Sequence, residues 1–432
     1  MVKEKKKGRG RKVLLSLLIV VLAVALVTAC ANVWVVNEGK EKANSYGTVV
    51  FEEQLVPEKD ENGDWVFTTD REFKVIQLTD VHLGGGYMSH KKDLMSLNAV
   101  ATMITAEKPD LVIATGDIAY PVPFQAGTFN NKSGAVEFAE LMEKLGVYWT
   151  VNFGNHDTEA YTYYSREKIS EFYMNEEFEH CLFEAGPENV DGYGNHIIKV
   201  KNSKGIITQA FVMMDSHSYT DGDIFGAMWK YDNIHQNQVD WYESEIKRLN
   251  NENAEAIGKL PDNEKAKAEQ LYGTVKSLAF FHIPLVEFKD AWTEFTENGF
   301  KDTENVQYIE GIIGETGKRV YSGIGEDELF EAMLRLGSTK AMFNGHDHYN
   351  NVTLKYKDII FSYGYSIDYL AYIGISKEGS QRGCTIITAK PAASFKIDKY
   401  NYYSDRYDIE GFEREAVTMQ FEDVKYQVEE EE

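Results

Sequence analysis

The sequence of 432 residues predicts an α/β fold behind an N-terminal membrane segment, on three observations. Apolar, β-branched runs alternate with segments of helical period between residues 73 and 157, the pattern of a parallel strand–helix–strand unit. Each run ends in a short polar string, and so do two later runs, as loops beyond the carboxyl ends of open α/β sheets do. The chain opens with a basic stretch followed by an apolar run of about 24 residues, long enough to cross a bilayer.

Taken in order, Lys3, Lys5, Lys6, Lys7, Arg9, Arg11 and Lys12 precede the apolar run from Val13 to Val36. The basic flank predicts that this end stays cytoplasmic and that the rest is exported. Val27-Thr28-Ala29-Cys30 also has the form of a bacterial lipoprotein cleavage box, which would make Cys30 a lipidated first residue. An uncleaved helix and a lipid on Cys30 both stay open, and either one tethers the remainder to the outer face of the cell membrane. Residues 37–70 are polar and rich in turn formers, and read as a linker with a small hairpin formed by 47–56 and 64–69. The main domain is expected over 71–400. Its first strand, FKVIQL, leads to a helix at 93–107, the strand LVIAT, a helix at 134–146 and the strand before Gly154.

Residues 161–276 read as an insertion with a helix at 165–185, strands at 194–200 and 205–219, and a charged helix broken at Pro261. A second insertion, 287–328, is rich in Gly, Thr and Glu and reads as a loop over the mouth of the site. Strands are expected again after residue 351 and at 384–390, followed by an acidic tail at 401–432.

A hydrophobic content of 43% and an aromatic content of 13% can bury a substantial core. Residues 1–12 hold seven Lys or Arg and one Glu, so the rest keeps 38 basic and 68 acidic groups, a net charge of −30. Such a surface repels polyanions and argues against nucleic acid as a partner. It does not exclude small phosphoesters, which respond to the local field of a site. Beyond Cys30 only Cys181 and Cys384 remain, enough for one disulfide but not for a disulfide framework.

The polar strings are Asp80-Val81-His82, Gly116-Asp117, Gly154-Asn155-His156-Asp157, His282 and Gly345-His346-Asp347-His348. Carboxylates, an amide and imidazoles at the ends of buried strands are costly unless something consumes their lone pairs. A metal does so. Asp80, Asp117, Asn155, His82, His282, His346 and His348 offer the mixed oxygen and nitrogen set that suits Mn, Fe or Zn. Asp80 and His82 stand two apart, as do His346 and His348, so in extended chain each pair shares a face. Asp117, alone in its string and carrying two oxygens, is the natural bridge between two ions. Two carboxylates against two divalent ions leave about +2, enough to hold a bridging hydroxide and attract a phosphate.

In this order the strings resemble those of the calcineurin-like metallophosphoesterases, from about Phe73 to Asn351. NHDTEAYTYYSRE, QNQVDWYESEI and FFHIPLVEF are similar to the Dcr2-like branch, relatives of the purple acid phosphatases. The resemblance implies the metallo-dependent phosphatase fold, a four-layer α/β/β/α sandwich of two mixed sheets with the motifs at one edge. It implies two divalent or mixed-valence ions, one on Asp80, His82, Asp117 and His348, the other on Asp117, Asn155, His282 and His346. His156 would then be catalytic, meeting the phosphate or the leaving group. The implied reaction is hydrolysis of small phosphomonoesters by a metal-bridging hydroxide. The alternatives are a phosphodiesterase or nucleotide hydrolase, or an inactive, metal-bound surface module.

Some positions depart from the family pattern. Tyr120 is similar to the tyrosine ligand of purple acid phosphatases, but those lack the first-motif histidine present here as His82, so Tyr120 is expected to be a packing residue. Many relatives place an Asp after Gly-Asp to orient the catalytic histidine. Here Ile118-Ala119-Tyr120-Pro121 follow, and Asp157 is the adjacent carboxylate. Arg166 is a candidate phosphate clamp or a helix-surface ion pair. His217 is a candidate for the pocket wall. Asn350 and Asn351 are read as turn residues.

Overall fold

The computed structural model describes residues 4–223, 226–325, 327–372, 375 and 382–413; the acidic tail beyond 413 lies outside the described residues. The chain begins with α1 (Glu4–Ser45) and two short strands, β1 (Glu58–Lys59) and β2 (Trp65–Thr68). Next come β3 (Phe73–Leu78), α2 (His90–Glu107), β4 (Leu111–Thr115), the single turn α3 (Pro123–Ala126), α4 (Asn131–Leu145) and β5 (Trp149–Asn152). They are followed by α5 (Arg166–Tyr173), β6 (His196–Lys201), β7 (Ile207–Met213), α6 (Gln236–Gly258), α7 (Asp262–Tyr272) and β8 (Ser277–Phe280). The rest comprises α8 (Val286–Glu297), β9 (Val306–Glu310), α9 (Leu329–Leu336), β10 (Thr339–Asn344), β11 (Thr353–Tyr356), β12 (Ile359–Tyr363), β13 (Gly383–Lys390) and β14 (Ser394–Asn401).

Among the described residues these strands form a nine-stranded sheet, β1-β2-β6-β7-β8-β10-β12-β11-β9, and a five-stranded sheet, β14-β13-β3-β4-β5. Both are mixed. β3, β4 and β5 run parallel in one, and β7, β8, β10 and β12 in the other. Alternation along the strands builds the layers. Val75, Leu111, Ile113, Leu278, Phe280, Ala341 and Phe343 share one core between the sheets. Their neighbours Ile76, Leu78, Val112 and Ala114 turn outward into a core with residues of α2 and α4. On the far side Ala279, Phe281 and Met342 pack with residues of α6, α8 and α9. The result is the four-layer α/β/β/α sandwich that the family resemblance implies.

Several segments differ from their expected form. The first helix does not stop at residue 36 but runs to Ser45, and residues 47–56 form no strand. Val35, Gly39, Ala43 and Tyr46 recur at helical spacing and are buried, giving the helix a docking stripe after its apolar run. Gly39 lies so close to Glu137 on α4 that a Cβ there would stand 2.6 Å from its carboxyl carbon. The hairpin pairs only Glu58–Lys59 with Trp65–Val66.

Residues 161–276 are not an insertion beside the sandwich. They supply β6 and β7, and β7 pairs parallel with β8. The helix expected at 165–185 ends at Tyr173, because Trp149 takes the following chain into its own hydrogen bonds with His180 and Leu182. Residues 287–328 are not a plain loop either. Phe288, Ala291, Trp292 and Phe295 stand at i, i+3, i+4 and i+7 and seat α8 on the sheet, and β9 closes its edge. Cys30, Cys181 and Cys384 are all free thiols, so the one disulfide the sequence permitted is not formed.

The layer between the sheets is covered by a sheet on each side. Leu278, fully buried there, should cost roughly 2–5 kcal/mol on truncation to Ala. Ile309→Ala, on the edge strand and 44% exposed, should stay within about 0.5 kcal/mol. Urea unfolding followed by tryptophan fluorescence measures both.

Candidate metal centre

The five strings sit just beyond the carboxyl ends of β3, β4, β5, β8 and β10, so three come from the smaller sheet and two from the larger. The site therefore straddles both sheets. Their backbones turn sharply to bring side chains inward. Asp80, His82, Asp117 and His346 have φ of 50°, 52°, 52° and 78°, the left-handed region that side chains seldom occupy. Strain of this kind costs about 1–3 kcal/mol per residue and persists where the surroundings over-determine it. The glycines of the strings permit the crossing of chains: a Cβ on Gly154 would strike the Asp117 carboxylate, and one on Gly345 would strike Thr79.

Asp80, His82, Asp117 and His348 are all buried, and each offers one ligand atom within 4.8 Å of the others. His348 Nε2 stands 3.3 Å from Asp80 Oδ1, and His82 Nε2 stands 3.3 Å from Asp117 Oδ2. Asp117 Oδ2 also faces His282 Nε2 at 3.2 Å. Asn155 Oδ1 meets His346 Nδ1 at 2.9 Å, and the rings of His282 and His346 are 5.2 Å apart. Asp117 thus touches both groups of residues.

The donor set fits metal ions. His282 Nδ1 donates to the Thr115 carbonyl at 2.8 Å, which turns the Nε2 lone pair toward Asp117. His282 Nε2 and both ring nitrogens of His348 are buried without a hydrogen-bond partner, an expensive arrangement unless a cation takes the lone pairs. The electrostatics agree. Burial opposes a charge on His82, but Asp368 and Asp117 outweigh it and push the imidazole up to about 10. Burial likewise opposes a charge on His282, and Asp117 and Asp80 push it up to about 9. Burial alone would raise Asp117, yet His282 and His156 hold it well below the usual carboxylate range. The side of the pocket around Asp117 thus favours cations, whereas burial and the neighbouring His282 hold His346 well below the usual imidazole range and keep its ring neutral.

His156 is placed differently from the others. Its backbone N–H donates to Asp117 Oδ1 at 2.8 Å, while its ring lines a cleft of about 490 Å³ with Tyr231, Arg319, Tyr321, His348 and Tyr372. Its Nδ1 pairs with Glu159 Oε1 at 2.8 Å. Glu159, buried and three residues on across a 3₁₀ turn, therefore orients this histidine. Asp157 does other work: its carboxylate accepts from the N–H groups of Asp117, Ala119 and Gly154 and ties two strings together.

Asp368 also escaped the sequence reading. It stands 3.1 Å from His82 Nδ1 and accepts the N–H groups of Leu370, Ala371 and Tyr372. Both carboxylates had a readable signal, Glu159 in the spacing His-Asp-Thr-Glu and Asp368 as an acid five residues past a buried strand.

Arg166 is not a helix-surface ion pair but is engaged inside the protein. Its Nη1 pairs with buried Asp215 at 2.5 Å, Nη2 donates to the Gly154 carbonyl and Ser218 Oγ, and Nε donates to Thr158 Oγ1. It fastens the loop after β5 to the loop after β7. His217 turns from the cleft to Gln238, 2.8 Å away, and stacks on His235. Tyr120 packs against the rings of His82 and His156, and its hydroxyl donates to Gln125. Asn350 and Asn351 are more than turn residues, since their side chains accept N–H groups of Gly314, Glu315 and Ile312 and pin that segment beside the cleft.

The sequence profile of the calcineurin-like phosphoesterases matches residues 73–350. The chain is 25% identical to "Probable inactive purple acid phosphatase 28" of Arabidopsis thaliana, over 75% of this chain and 77% of that protein. It is 26% identical to "Phosphatase DCR2" of Saccharomyces cerevisiae, over 67% of this chain but 46% of that longer protein. A solved structure of a dimetal phosphatase from Danio rerio is 10% identical, covers 77% of this chain and 97% of its own, and superposes with a TM-score of 0.44.

The Arg166–Asp215 pair yields a stability prediction with a defined pH window. Burial would raise the Asp215 pKa, but Arg166 and His217 lower it. Its contribution is therefore present above the unfolded value near 4 and is lost as pH falls through the lowered folded value. Arg166→Ala strands a buried carboxylate and should cost roughly 3–5 kcal/mol at pH 7. The deficit should narrow below about pH 4. Urea denaturation at the two pH values measures it.

Proposed function

The chain belongs to the calcineurin-like phosphoesterase family, and on that premise we propose that it hydrolyses small phosphomonoesters at a two-metal centre. The observation that carries the proposal is the pairing of a buried Asp/His cluster with an imidazole held beside it by its own carboxylate. Asp80, His82, Asp117 and His348 would hold one ion, and Asp117, Asn155, His282 and His346 the other. Two such ions supply charge for the phosphoryl oxygens and make water a nucleophile near neutral pH.

The chain's own residues do the rest. Asp117, facing both groups of imidazoles, fixes the spacing of the two halves. Asp368 and the Thr115 carbonyl fix the rings of His82 and His282 from behind. Asn155 is held by Tyr219, which donates in turn to Glu159, so the ligand loop and the proton donor share one network. With Nδ1 engaged by Glu159, His156 Nε2 is the nitrogen left to protonate a leaving oxygen. Burial lowers the His156 pKa, but Asp117 and Glu159 outweigh it and raise it, which favours the acid form.

A second reading has one observation behind it: among the relatives are proteins named "Probable inactive" purple acid phosphatases. On that reading this chain is a metal-bound surface module. The presence of His156 with its orienting Glu159 favours the enzyme, as does the complete set of ligand types. Turnover of 4-nitrophenyl phosphate by the full-length protein with added Mn separates the two, and none would sink the phosphatase. A phosphodiester tested alongside decides between mono- and diesterase. The N-terminal helix would anchor the catalytic domain outside the cell membrane, as its basic flank predicts.

Two outcomes test the roles of the residues. Asp117→Asn should lose close to both ions, whereas His82→Ala keeps the second, by elemental analysis of the purified variants. Equal loss would count against a shared Asp117. His156→Ala should keep both ions yet lose roughly 10² to 10⁴ in rate on an alkyl phosphate, and less on an aryl phosphate. Glu159→Gln should keep metal as well and shift the basic limb of the pH–rate profile downward, because the His156 imidazolium loses a carboxylate partner.

A further inference from the structure

We propose that the edge of the domain around the exit of α1 rests on the bilayer, and that the metal centre acts on a phosphomonoester carried by a membrane lipid. The inference rests on the phosphatase reading above and on the N-terminal tether.

The position of the bilayer follows from the helix itself. Residues 10–27 of α1 are exposed on every side, with Leu14, Val21 and Val27 more than 60% exposed. The first half-buried residues are Thr28, Ala31 and Asn32, and Val35 is buried. A hydrocarbon core of about 30 Å takes about 20 helical residues, so a span that starts at Val13 ends at Asn32. The domain therefore begins to touch the helix at Thr28, about 6 Å inside the end of that span, and holds it at Asn32, where the hydrocarbon ends. Lipidation at Cys30 would put the bilayer at the same height, two residues from Asn32.

At that height Asn32 clamps two loops. Its Oδ1 accepts from the backbone N–H of Tyr87 at 2.9 Å, and its Nδ2 donates to the Gly127 carbonyl at 3.2 Å. The ring of Tyr87 lies across Gly127, where a Cβ would stand 2.6 Å from it. The two loops expose Tyr87, Met88 and, at 89%, Phe124, beside Trp34 of the helix. An aromatic ring so bare is out of place in water and ordinary at a membrane interface.

The same loops grow out of the metal centre. Tyr87 lies five residues after His82, so their Cα atoms are at most about 18 Å apart. The other loop leaves Asp117 and reaches Phe124 in seven residues. Tyr120 packs on His82 and His156 and donates to Gln125, and Gln125 donates to the carbonyl of Leu370 at 3.3 Å. Two residues on, Tyr372 stands edge-on to His348 in the wall of the cleft. The rim of the cleft and the membrane edge are thus one continuous piece of structure. Lipid phosphates occupy the adjoining headgroup layer, and the tyrosines of the cleft wall suit the glycerol and first acyl carbons. In the reaction, water forms the new P–O bond, the bond from phosphorus to the lipid oxygen breaks, and that oxygen takes a proton, leaving a lipid alcohol and inorganic phosphate.

The test uses the full-length protein in phosphatidylcholine vesicles. Phosphatidic acid in the bilayer should be hydrolysed with higher kcat/KM than soluble glycerol 3-phosphate. The triple variant Tyr87→Ser, Met88→Ser, Phe124→Ser should lose at least about tenfold on phosphatidic acid, as withdrawal of three exposed side chains from the bilayer implies, and nothing on 4-nitrophenyl phosphate. Docking is read without catalysis: brominated acyl chains should quench Phe124→Trp beyond the wild-type background. Hydrolysis of aryl phosphate with no preference for the lipid, or equal loss on both substrates, overturns the lipid substrate while the phosphatase stands. Absence of all turnover removes the phosphatase reading and the lipid substrate together. Absence of quenching overturns the docked edge.

Discussion

Everything in the centre depends on the burial of Asp117. Its carboxylate has no access to bulk water, so each lone pair must be satisfied from within the protein or by bound cations. One oxygen takes the N–H of His156, and the other faces His82 and His282. Its own N–H is taken by Asp157, which also holds Gly154 and Ala119. A single buried charge thereby fixes the relative positions of three strand ends. The left-handed backbone at four of the proposed ligands is a cost the same arrangement must meet. Packing of two sheets around one layer of apolar side chains is what holds those turns in place.

That dependence separates the residues that face the cleft from those that position them. Asp368, Glu159 and Asp215 are buried acids, and each is bound to a partner that determines where a loop or ring sits. Arg166 belongs with them: as a clamp it acts on two loops of the protein and has little left for a phosphate. The chain's acidity is thus not only a surface property. Part of it is structural and sits immediately behind the proposed metal ligands.

The sequence was most legible where period and composition coincide. The parallel unit from β3 to β5, the stop of α4 at Gly146 and the break at Pro261 followed from apolar spacing and turn chemistry. The five strings stood out because polar residues at the ends of β-branched runs are rare without a reason. The second sheet was not readable from period alone, since its β6 and β7 lie among charged segments that resemble an insertion. α8 was missed although its stripe Phe288, Ala291, Trp292 and Phe295 is regular, because the Gly- and Thr-rich stretch after it dominated the reading. The Arg166–Asp215 pair acts across 49 residues of chain that no local pattern records, whereas Glu159 and Asp368 left only the faint local signals of a short spacing and an acid past a buried strand.

The N-terminal helix illustrates a different limit. Its apolar run announces a membrane segment, but the sequence gives no sign that the helix continues unbroken onto α2 and α4. That continuity matters mechanically. A flexible linker would let the domain sample many orientations above a bilayer, whereas a helix seated by Val35, Gly39 and Ala43 permits few. On the proposal above, the domain presents one edge to the membrane, and the loops clamped by Asn32 are part of that edge. Those loops also carry His82 and follow Asp117, so chain length holds the clamped Tyr87 within about 18 Å of His82, Cα to Cα. On that proposal a lipid phosphate is presented at the edge from which the cleft loops grow, while a soluble phosphoester gains nothing from the tether.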